Sequence, residues 1–253
     1  MNFFVHKSVA ERYAKHRPYF HPLVIERIKA RLHLQSPVPL AVDVGCGAGQ
    51  STVALKDIAV RVVGMDLSLD MLQVAEKKPG IRYVRAVAER LAIQSNTADL
   101  LTTSLAYHWF DQEQFFTEVR RVLREEAWLV IYNNWIDGQL EREPAFEKWF
   151  TEVYEVRYPS PKRNSAPVTV EFAEQHGFRF VHWEEYQNEI PFSVQELAAY
   201  LITQSNVIAA TGQGQENVEE VYNWLIAQIK PFFKSERVPF PFGGFIWYLQ
   251  KVA

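Results

Sequence analysis

Three closely spaced glycines and two aspartates are the residues of this sequence best suited to chemistry. Gly45, Gly47 and Gly49 lie in the stretch VDVGCGAGQS, and Asp43 comes just before them. Because glycine lacks a Cβ atom, such a loop can turn tightly and bring its N–H groups close to a ligand. Asp66 ends the next apolar run, VVGMD, where a carboxylate can accept hydrogen bonds from both hydroxyls of a ribose. Together these residues predict a site for a nucleoside-containing cofactor.

The spacing of the glycines distinguishes two classes of cofactor. A dinucleotide-binding loop has the pattern G-x-G-x-x-G, whereas this chain has Gly-Cys-Gly-Ala-Gly, so the third glycine comes one residue early. The segment from Tyr158 to Lys162 has the Tyr-x-x-x-Lys spacing of short-chain dehydrogenases. Two prolines inside that segment forbid the intact helix on which such a pair must lie. A nicotinamide-dependent oxidoreductase is therefore the less favoured alternative.

Two further candidates, His108 and Trp109, follow the fourth predicted strand. His108 could act as a general base or orient an acceptor group, and a structural role beside the next helix explains it equally well. Trp109 could form the wall of a binding pocket, or it could pack in the core.

The remaining polar candidates are scattered along the chain. Asn133 follows the fifth predicted strand and offers an amide to a ligand, although a plain turn also favours asparagine. Arg163 could bind an acidic substrate, or it could be an ordinary exposed arginine, and Gln204 could line a lid or end a polar helix. Tyr13 and Arg17 are four residues apart and would share a face of a helix. An ordinary solvated helix has the same spacing.

The strands and helices that position these residues are predicted by short apolar runs that alternate with helical patterns. Such alternation predicts right-handed crossovers and an α/β fold with a doubly wound, mostly parallel sheet, whose strands bring their carboxyl ends to one edge. The predicted strands are Leu40–Val44, Val60–Asp66, Ile81–Val84, Ala98–Ser104 and Trp128–Tyr132, and the predicted helices between them include Ser68–Lys78 and Asp111–Arg124.

The pattern changes after residue 135, where helical stretches dominate. Helices are predicted at 139–158, 193–203 and 216–229, and strands at 178–189 and 245–252, the last of them antiparallel. We predict a single domain spanning 1–253. Its parts are N-terminal cap helices (1–35), a cofactor-binding core (36–135), helical lid insertions (136–177 and 193–239) and C-terminal strands (178–190 and 240–253).

The composition narrows the classes of partner. The net charge is −3, and no long run of Lys and Arg is present, which disfavours nucleic acid. Cys46 is the only cysteine, so the chain has no internal disulfide and no zinc site built from several thiolates. No stretch approaches the roughly 20 apolar residues of a membrane span, and no tight His/Asp/Glu cluster suggests a metal. We expect a cytoplasmic protein without a membrane or nucleic-acid partner, and the oligomeric state stays open.

Four ordered motifs resemble those of the class I S-adenosylmethionine-dependent methyltransferases (type 11), and particularly the branch that includes trans-aconitate methyltransferase. The glycine loop resembles the first motif, Asp66–Leu72 the second, Ala88–Leu91 the third and Ala106–Asp111 the fourth. The resemblance covers roughly residues 38–135. A Tyr-x-x-x-Arg-Pro element near the N-terminus also matches.

The resemblance implies S-adenosylmethionine as the cofactor and assigns roles by position. Asp66 would hold the ribose, Leu67 and Met71 would touch the adenine, and Ser104 and Leu105 would meet the methionine part. The full implied cofactor set is Arg17, Asp43, Gly45, Gly47, Gly49, Asp66, Leu67, Met71, Ala88, Glu89, Ser104 and Leu105. Together with the residues discussed above, the candidate catalytic residues are His108 and Tyr13, and the candidate acceptor-binding residues are Trp109, Asn133, Arg163 and Gln204.

One position departs from the family pattern. The third motif is often Gly-Asp-Ala-Glu, whereas this chain has Ala86-Val87-Ala88-Glu89. Val87 cannot accept a hydrogen bond from the adenine amino group. The sequence therefore predicts a methyltransferase acting on a small molecule, with a carboxylate as one candidate acceptor. A non-catalytic S-adenosylmethionine-binding protein is a further alternative.

Overall fold

The structure is a computed structural model that describes residues 4, 6–136, 144–212, 214 and 216–252. Its contacts group the chain into two compact units. Unit 1 comprises Met1–Pro18, Asn134–Lys162 and Tyr186–Gly244, and unit 2 comprises Tyr19–Asn133, Arg163–Glu185 and Phe245–Ala253. The division into a single domain with lid insertions stays a prediction.

A mixed sheet contains the eight described strands. They are β1 Val38–Val44, β2 Ala59–Asp66, β3 Ile81–Arg85, β4 Ala98–Ser104, β5 Leu123–Tyr132, β6 Trp135–Ile136, β7 Phe178–Phe192 and β8 Val238–Lys251. The order β3-β2-β1-β4-β5 is parallel throughout, and β8 follows β5 in antiparallel pairing. Both β6 and β7 also pair with β8. This confirms the predicted α/β fold, with a mostly parallel sheet and an antiparallel C-terminal strand.

Helices connect the strands. They are α1 Lys7–His16, α2 His21–Arg31, α3 Gln50–Ala54, α4 Leu69–Val74, α5 Gln112–Val122, α6 Pro144–Trp149, α7 Glu155–Arg157, α8 Val170–Gln175, α9 Val194–Leu201, α10 Ser205–Gly212 and α11 Val218–Ile229. A π-helical segment, Phe150–Tyr154, joins α6 to α7. No described helix has both the length and the apolar character needed to cross a membrane.

Several predicted boundaries shift for local reasons. The helix predicted at Ser68–Lys78 is α4, which begins after Ser68 because the Ser68 hydroxyl accepts a hydrogen bond from the Met71 N–H, as an N-cap does. It ends by Val74, before Pro79-Gly80. The first five positions of the helix predicted at 139–158 lie outside the described residues.

Each unit has its own apolar core. In unit 2, buried side chains of β1, β4 and β5 pack with Phe115, Phe116 and Val119 of α5. In unit 1, an aromatic cluster includes Phe146, Tyr154 and Tyr200 with Leu225 of α11. Half of the described buried residues in the core of unit 1 are aromatic.

Candidate functional site

The glycine loop of unit 2 is a tight turn that ends β1 and begins α3. Gly45, Gly47 and Gly49 all have positive φ angles, of 70°, 52° and 80°. The N–H groups of Gly45 and Cys46 both donate to the carbonyl of Met65, at 2.8 and 3.0 Å. The loop is thus fastened to the end of β2, beside Asp66.

Neighbouring side chains leave no room for a Cβ atom at two of these glycines. A Cβ at Gly45 would lie 2.5 Å from the Cβ of Ala106, and one at Gly49 would lie 2.4 Å from the hydroxyl oxygen of Tyr83. The residues after β4 therefore pack directly against the loop. Positive φ and close packing together explain why both positions need glycine.

Asp66 holds the loop and the start of α4 in place. One carboxylate oxygen, Oδ2, accepts from the Gly47 N–H, and the other, Oδ1, accepts from the Ser68 N–H, both at 2.8 Å. Burial raises its pKa, and the backbone hydrogen bonds oppose that rise. The Leu67 N–H also interacts with this carboxylate, which lies at the carboxyl end of β2, where a ribose would bind.

Asp43 is fully buried and is surrounded by hydroxyl groups. Oδ2 accepts from Ser51 Oγ at 2.6 Å and from Thr52 Oγ1 at 2.7 Å, and Oδ1 accepts from Thr102 Oγ1 at 3.0 Å. Burial raises the pKa of Asp43 to about 6, although the three hydrogen bonds lower it. These contacts link β1, α3 and β4, so Asp43 positions the loop through other residues.

The residues that surround Asp43 were not predicted from the sequence. Ser51, Thr52 and Thr102 each direct a hydroxyl at its carboxylate. The sequence did carry a signal for two of them, because Ser51 and Thr52 directly follow the glycine loop in the first turn of α3. Thr102 carried no comparable signal, because it reaches Asp43 only through the pairing of β1 with β4.

The carboxyl ends of β4 and β5 lie side by side. Ser104 pairs with Tyr132, and the N–H of Leu105 donates to the Tyr132 carbonyl at 3.1 Å. Leu105 has a φ of 56°, so the chain turns sharply there. The Ser104 Oγ atom is buried, and no hydrogen-bond partner for it is found among the described residues. Asn133 exchanges two hydrogen bonds with Phe245, so it bridges β5 and β8.

The predicted adenine-contacting residues differ in exposure. Leu67 is 44% exposed directly after Asp66, whereas Met71 is buried. Val87 is 39% exposed, and Ala88 next to it is buried. Glu89 accepts the Asp111 N–H at 2.9 Å, so it holds the start of α5. Leu67 and Val87 therefore each present an exposed apolar side chain.

His108, Trp109 and Arg163 lie together in unit 2. The His108 and Trp109 rings have centroids 4.8 Å apart, and the guanidinium carbon of Arg163 lies 5.9 Å from the Trp109 centroid. The carbonyl of His108 accepts the Asn164 N–H at 3.0 Å, which brings the loop that carries Arg163 to this place. Burial and the Arg163 charge lower the pKa of His108 to about 4, and partial burial lowers the pKa of Arg163.

Tyr13, Arg17 and Gln204 lie in unit 1. Tyr13 is in the last turn of α1, and Arg17 follows that helix in extended conformation. The guanidinium carbon of Arg17 lies 4.7 Å from the Tyr13 ring centroid and 5.4 Å from that of Tyr200, and its Nη2 donates to the Thr203 carbonyl at 2.8 Å. Gln204 follows Thr203, and its carbonyl accepts from the Ile208 N–H.

Among the described residues, no group of three or more His, Cys, Asp or Glu could hold a metal ion.

Comparisons with known proteins agree with this geometry. Residues 42–131 match the family model described as a methyltransferase domain. The matched segment is similar to the class I S-adenosylmethionine-dependent methyltransferases. S-adenosylmethionine is the cofactor of this family, and the match spans the glycine loop, Asp66 and the ends of β4 and β5.

Individual relatives support the same assignment. The chain is similar to a Dictyostelium discoideum protein described as a methyltransferase, at 30% identity over 159 residues, which are 62% of this chain and 60% of that protein. It is also similar to the malonyl-[acyl-carrier protein] O-methyltransferase of a Marinomonas species, at 35% identity over 142 residues, 52% of this chain and 50% of that protein. The chain thus covers roughly half of these relatives. A solved type II methyltransferase structure from Anaeromyxobacter dehalogenans shares the fold, with a TM-score of 0.66, 21% identity and coverage of 93% and 97%.

Proposed function

We propose that this protein transfers a methyl group from S-adenosylmethionine to a small molecule that carries an acidic group. The proposal rests on the position of the Asp66 carboxylate, which binds the glycine loop to the end of β2. It accepts from the Gly47 and Ser68 N–H groups and lies at the carboxyl end of the strand next to the glycine loop. This is the arrangement that a ribose requires.

The residues of unit 2 fit the cofactor on several independent points. Asp66 would accept the ribose hydroxyls, the exposed Leu67 and Val87 would cover the adenine, and the buried Ser104 hydroxyl would gain a partner from the methionine part. Val87 offers contact area in place of a hydrogen bond, so the adenine would be held by packing. When bound, S-adenosylmethionine supplies a methyl group on a positively charged sulfur.

Arg163 is the residue that supports an acidic group on the acceptor. A guanidinium group beside an aromatic ring and a partly buried histidine can bind a carboxylate or phosphate with two parallel hydrogen bonds. The similar Marinomonas protein is named for O-methylation of malonyl-[acyl-carrier protein], and its malonyl group supports an acidic acceptor for this chain as well. Trp109 would add an apolar wall, so an acceptor with both an acidic and an apolar part fits best.

His108 would act in its neutral form. Its pKa of about 4 keeps the imidazole uncharged at neutral pH, so it can accept a hydrogen bond or a proton from the acceptor. A carboxylate acceptor carries no proton at that pH and needs only positioning close to the methyl group. For such an acceptor His108 is an orienting residue, and its low pKa makes it a weak base toward a hydroxyl.

A screen with radiolabelled S-adenosylmethionine tests this function. The acceptors are small carboxylic acids, each paired with its amide, and the variants are Arg163→Gln and Arg163→Lys. We expect label transfer to acids and not to their amides, with KM raised more by Gln than by Lys. Transfer to neutral acceptors that Arg163→Gln leaves unchanged would refute the acidic acceptor. Cofactor binding without any turnover would favour the non-catalytic alternative. The cytoplasmic location stays a prediction.

A further inference from the structure

The part of β7 that lies in unit 2, residues 178–185, presents one covered face and one exposed face. On the covered face, Phe178 packs against Phe116 of α5. Arg27 Nη1 of α2 donates to Glu184 at 2.8 Å, Arg31 Nη2 lies 2.9 Å from His182 Nε2, and the Tyr248 hydroxyl of β8 donates to Glu184 at 2.7 Å. The odd-numbered side chains are all exposed. Burial alternates without a break along this segment, as in a regular strand.

The exposed face carries an aromatic and a β-branched residue between two opposite charges. Trp183 is 54% exposed and Val181 is 41% exposed. Arg179 comes two residues before Val181, and Glu185 comes two residues after Trp183. Arg179 also donates to Gln250 on β8, which uses only part of its donor capacity.

One edge of β7 has no strand beside it in the described part of the chain, where β8 is the only strand that pairs with it. At the start of β7 the carbonyl of Gly177 accepts from the Val252 N–H at 3.0 Å. In a regular strand the backbone groups of alternate residues point the same way. The N–H and C=O groups of residues 180, 182 and 184 therefore point away from β8, along the open edge.

We propose that β7 pairs with β7 of a second copy of this chain, antiparallel and centred on His182. In this register Arg179 lies opposite the partner's Glu185, and Val181 lies opposite the partner's Trp183, each pair occurring twice by symmetry. These odd-numbered pairs are the non-hydrogen-bonded ones, whose side chains approach most closely. Opposite charges and aromatic–β-branched pairs both stabilise such neighbours.

The sequence of the strand favours this occupant over an unrelated partner. A strand whose charges were all of one sign would repel its own copy, as protected edges do. Here the order of charges is self-complementary about His182, so the two-fold axis turns each charge onto its opposite. The interface is isologous and closes after two copies. It does not depend on the proposed methyl transfer.

Charge reversal followed by sedimentation equilibrium tests the interface. Arg179→Glu and Glu185→Arg are made singly and together, and Arg82→Glu on the opposite edge strand β3 is the matched control. We expect wild type and Arg82→Glu to be dimers. Because two attractive pairs become repulsive, each single reversal should raise the dissociation constant about 30-fold.

Variants that restore the opposite-charge pairs distinguish loss of the interface from damage to the fold. The double variant recovers the attractive pairs and should dimerise like wild type. An equimolar mixture of the two single variants should form a heterodimer, because each glutamate then meets an arginine. A monomeric wild type, or single variants that stay dimeric, would overturn the proposal. So would failure of both the double variant and the mixture to dimerise.

Discussion

Replacing Asp43 with asparagine should change how the stability of the protein depends on pH. Asp43 is fully buried, and its pKa is raised from 3.8 to about 6. Each pKa unit corresponds to about 1.36 kcal/mol, so the ionised carboxylate costs the folded state about 3 kcal/mol. The asparagine of this variant has no charge to bury, and the hydroxyls of Ser51, Thr52 and Thr102 can donate to or accept from its amide.

The direction follows from proton linkage. Because the pKa is higher in the folded state, that state binds more protons than the unfolded state between pH 3.8 and about 6. The contribution of Asp43 is therefore most favourable below pH 3.8 and is lost as the pH rises through 6. Relative to Asp43→Asn, wild type should lose about 3 kcal/mol of unfolding free energy between about pH 4 and about pH 7.

Urea denaturation followed by circular dichroism, at closely spaced pH values, measures this difference. Using the difference between the two proteins removes the titration of every other carboxyl group. The control is Asp99→Asn, since Asp99 forms an ion pair with Arg124 and receives the Leu40 N–H outside the glycine loop. If the difference between wild type and Asp43→Asn were constant with pH, or grew in favour of wild type as the pH rose, the argument from burial would be wrong.

Three further perturbations probe other parts of the account. Gly49→Ala should destabilise the protein by about 1–3 kcal/mol, since residue 49 has a φ of 80° and the new Cβ would collide with Tyr83. In thermal melts, adding Tyr83→Phe to this variant should recover part of the loss. If the destabilising effects of the two substitutions simply added, the collision would be contradicted. Arg163→Gln should raise the pKa of His108, measured by NMR titration, because the Arg163 charge now lowers it; an unchanged pKa would refute that cause. Arg17→Ala should cost about 1–3 kcal/mol in unfolding free energy through the Thr203 hydrogen bond and the contacts with Tyr13 and Tyr200. An effect no larger than that of Lys15→Ala, in the preceding helix α1, would argue against those contacts.

The sheet was predictable from the sequence because its signals are local. Short buried runs such as Ala98–Ser104 coincide with an observed strand at both ends. The glycine loop was evident from composition, since only glycine readily tolerates the positive φ angles found there. The start of β8 was placed seven residues late, because the prolines and glycines near Phe240 mask an extended strand.

Contacts between distant segments could not be predicted. Nothing in the local pattern indicates that Thr102 reaches Asp43, or that the loop carrying Arg163 meets Trp109. Both contacts depend on how strands and loops are arranged in the fold. The exposure of Trp183 was equally hidden, because an alternating strand has two faces and the sequence does not state which one is covered.

The central claim is that Asp66 and the glycine loop bind S-adenosylmethionine, and isothermal titration calorimetry tests it most directly. The titrations use S-adenosylmethionine and NAD against wild type, Asp66→Ala and the control Asp70→Ala, which lies in the neighbouring helix α4. We predict that wild type and Asp70→Ala bind S-adenosylmethionine with micromolar affinity and that Asp66→Ala does not, with no signal for NAD. Binding of NAD in place of S-adenosylmethionine, or full binding by a folded Asp66→Ala, would contradict the account.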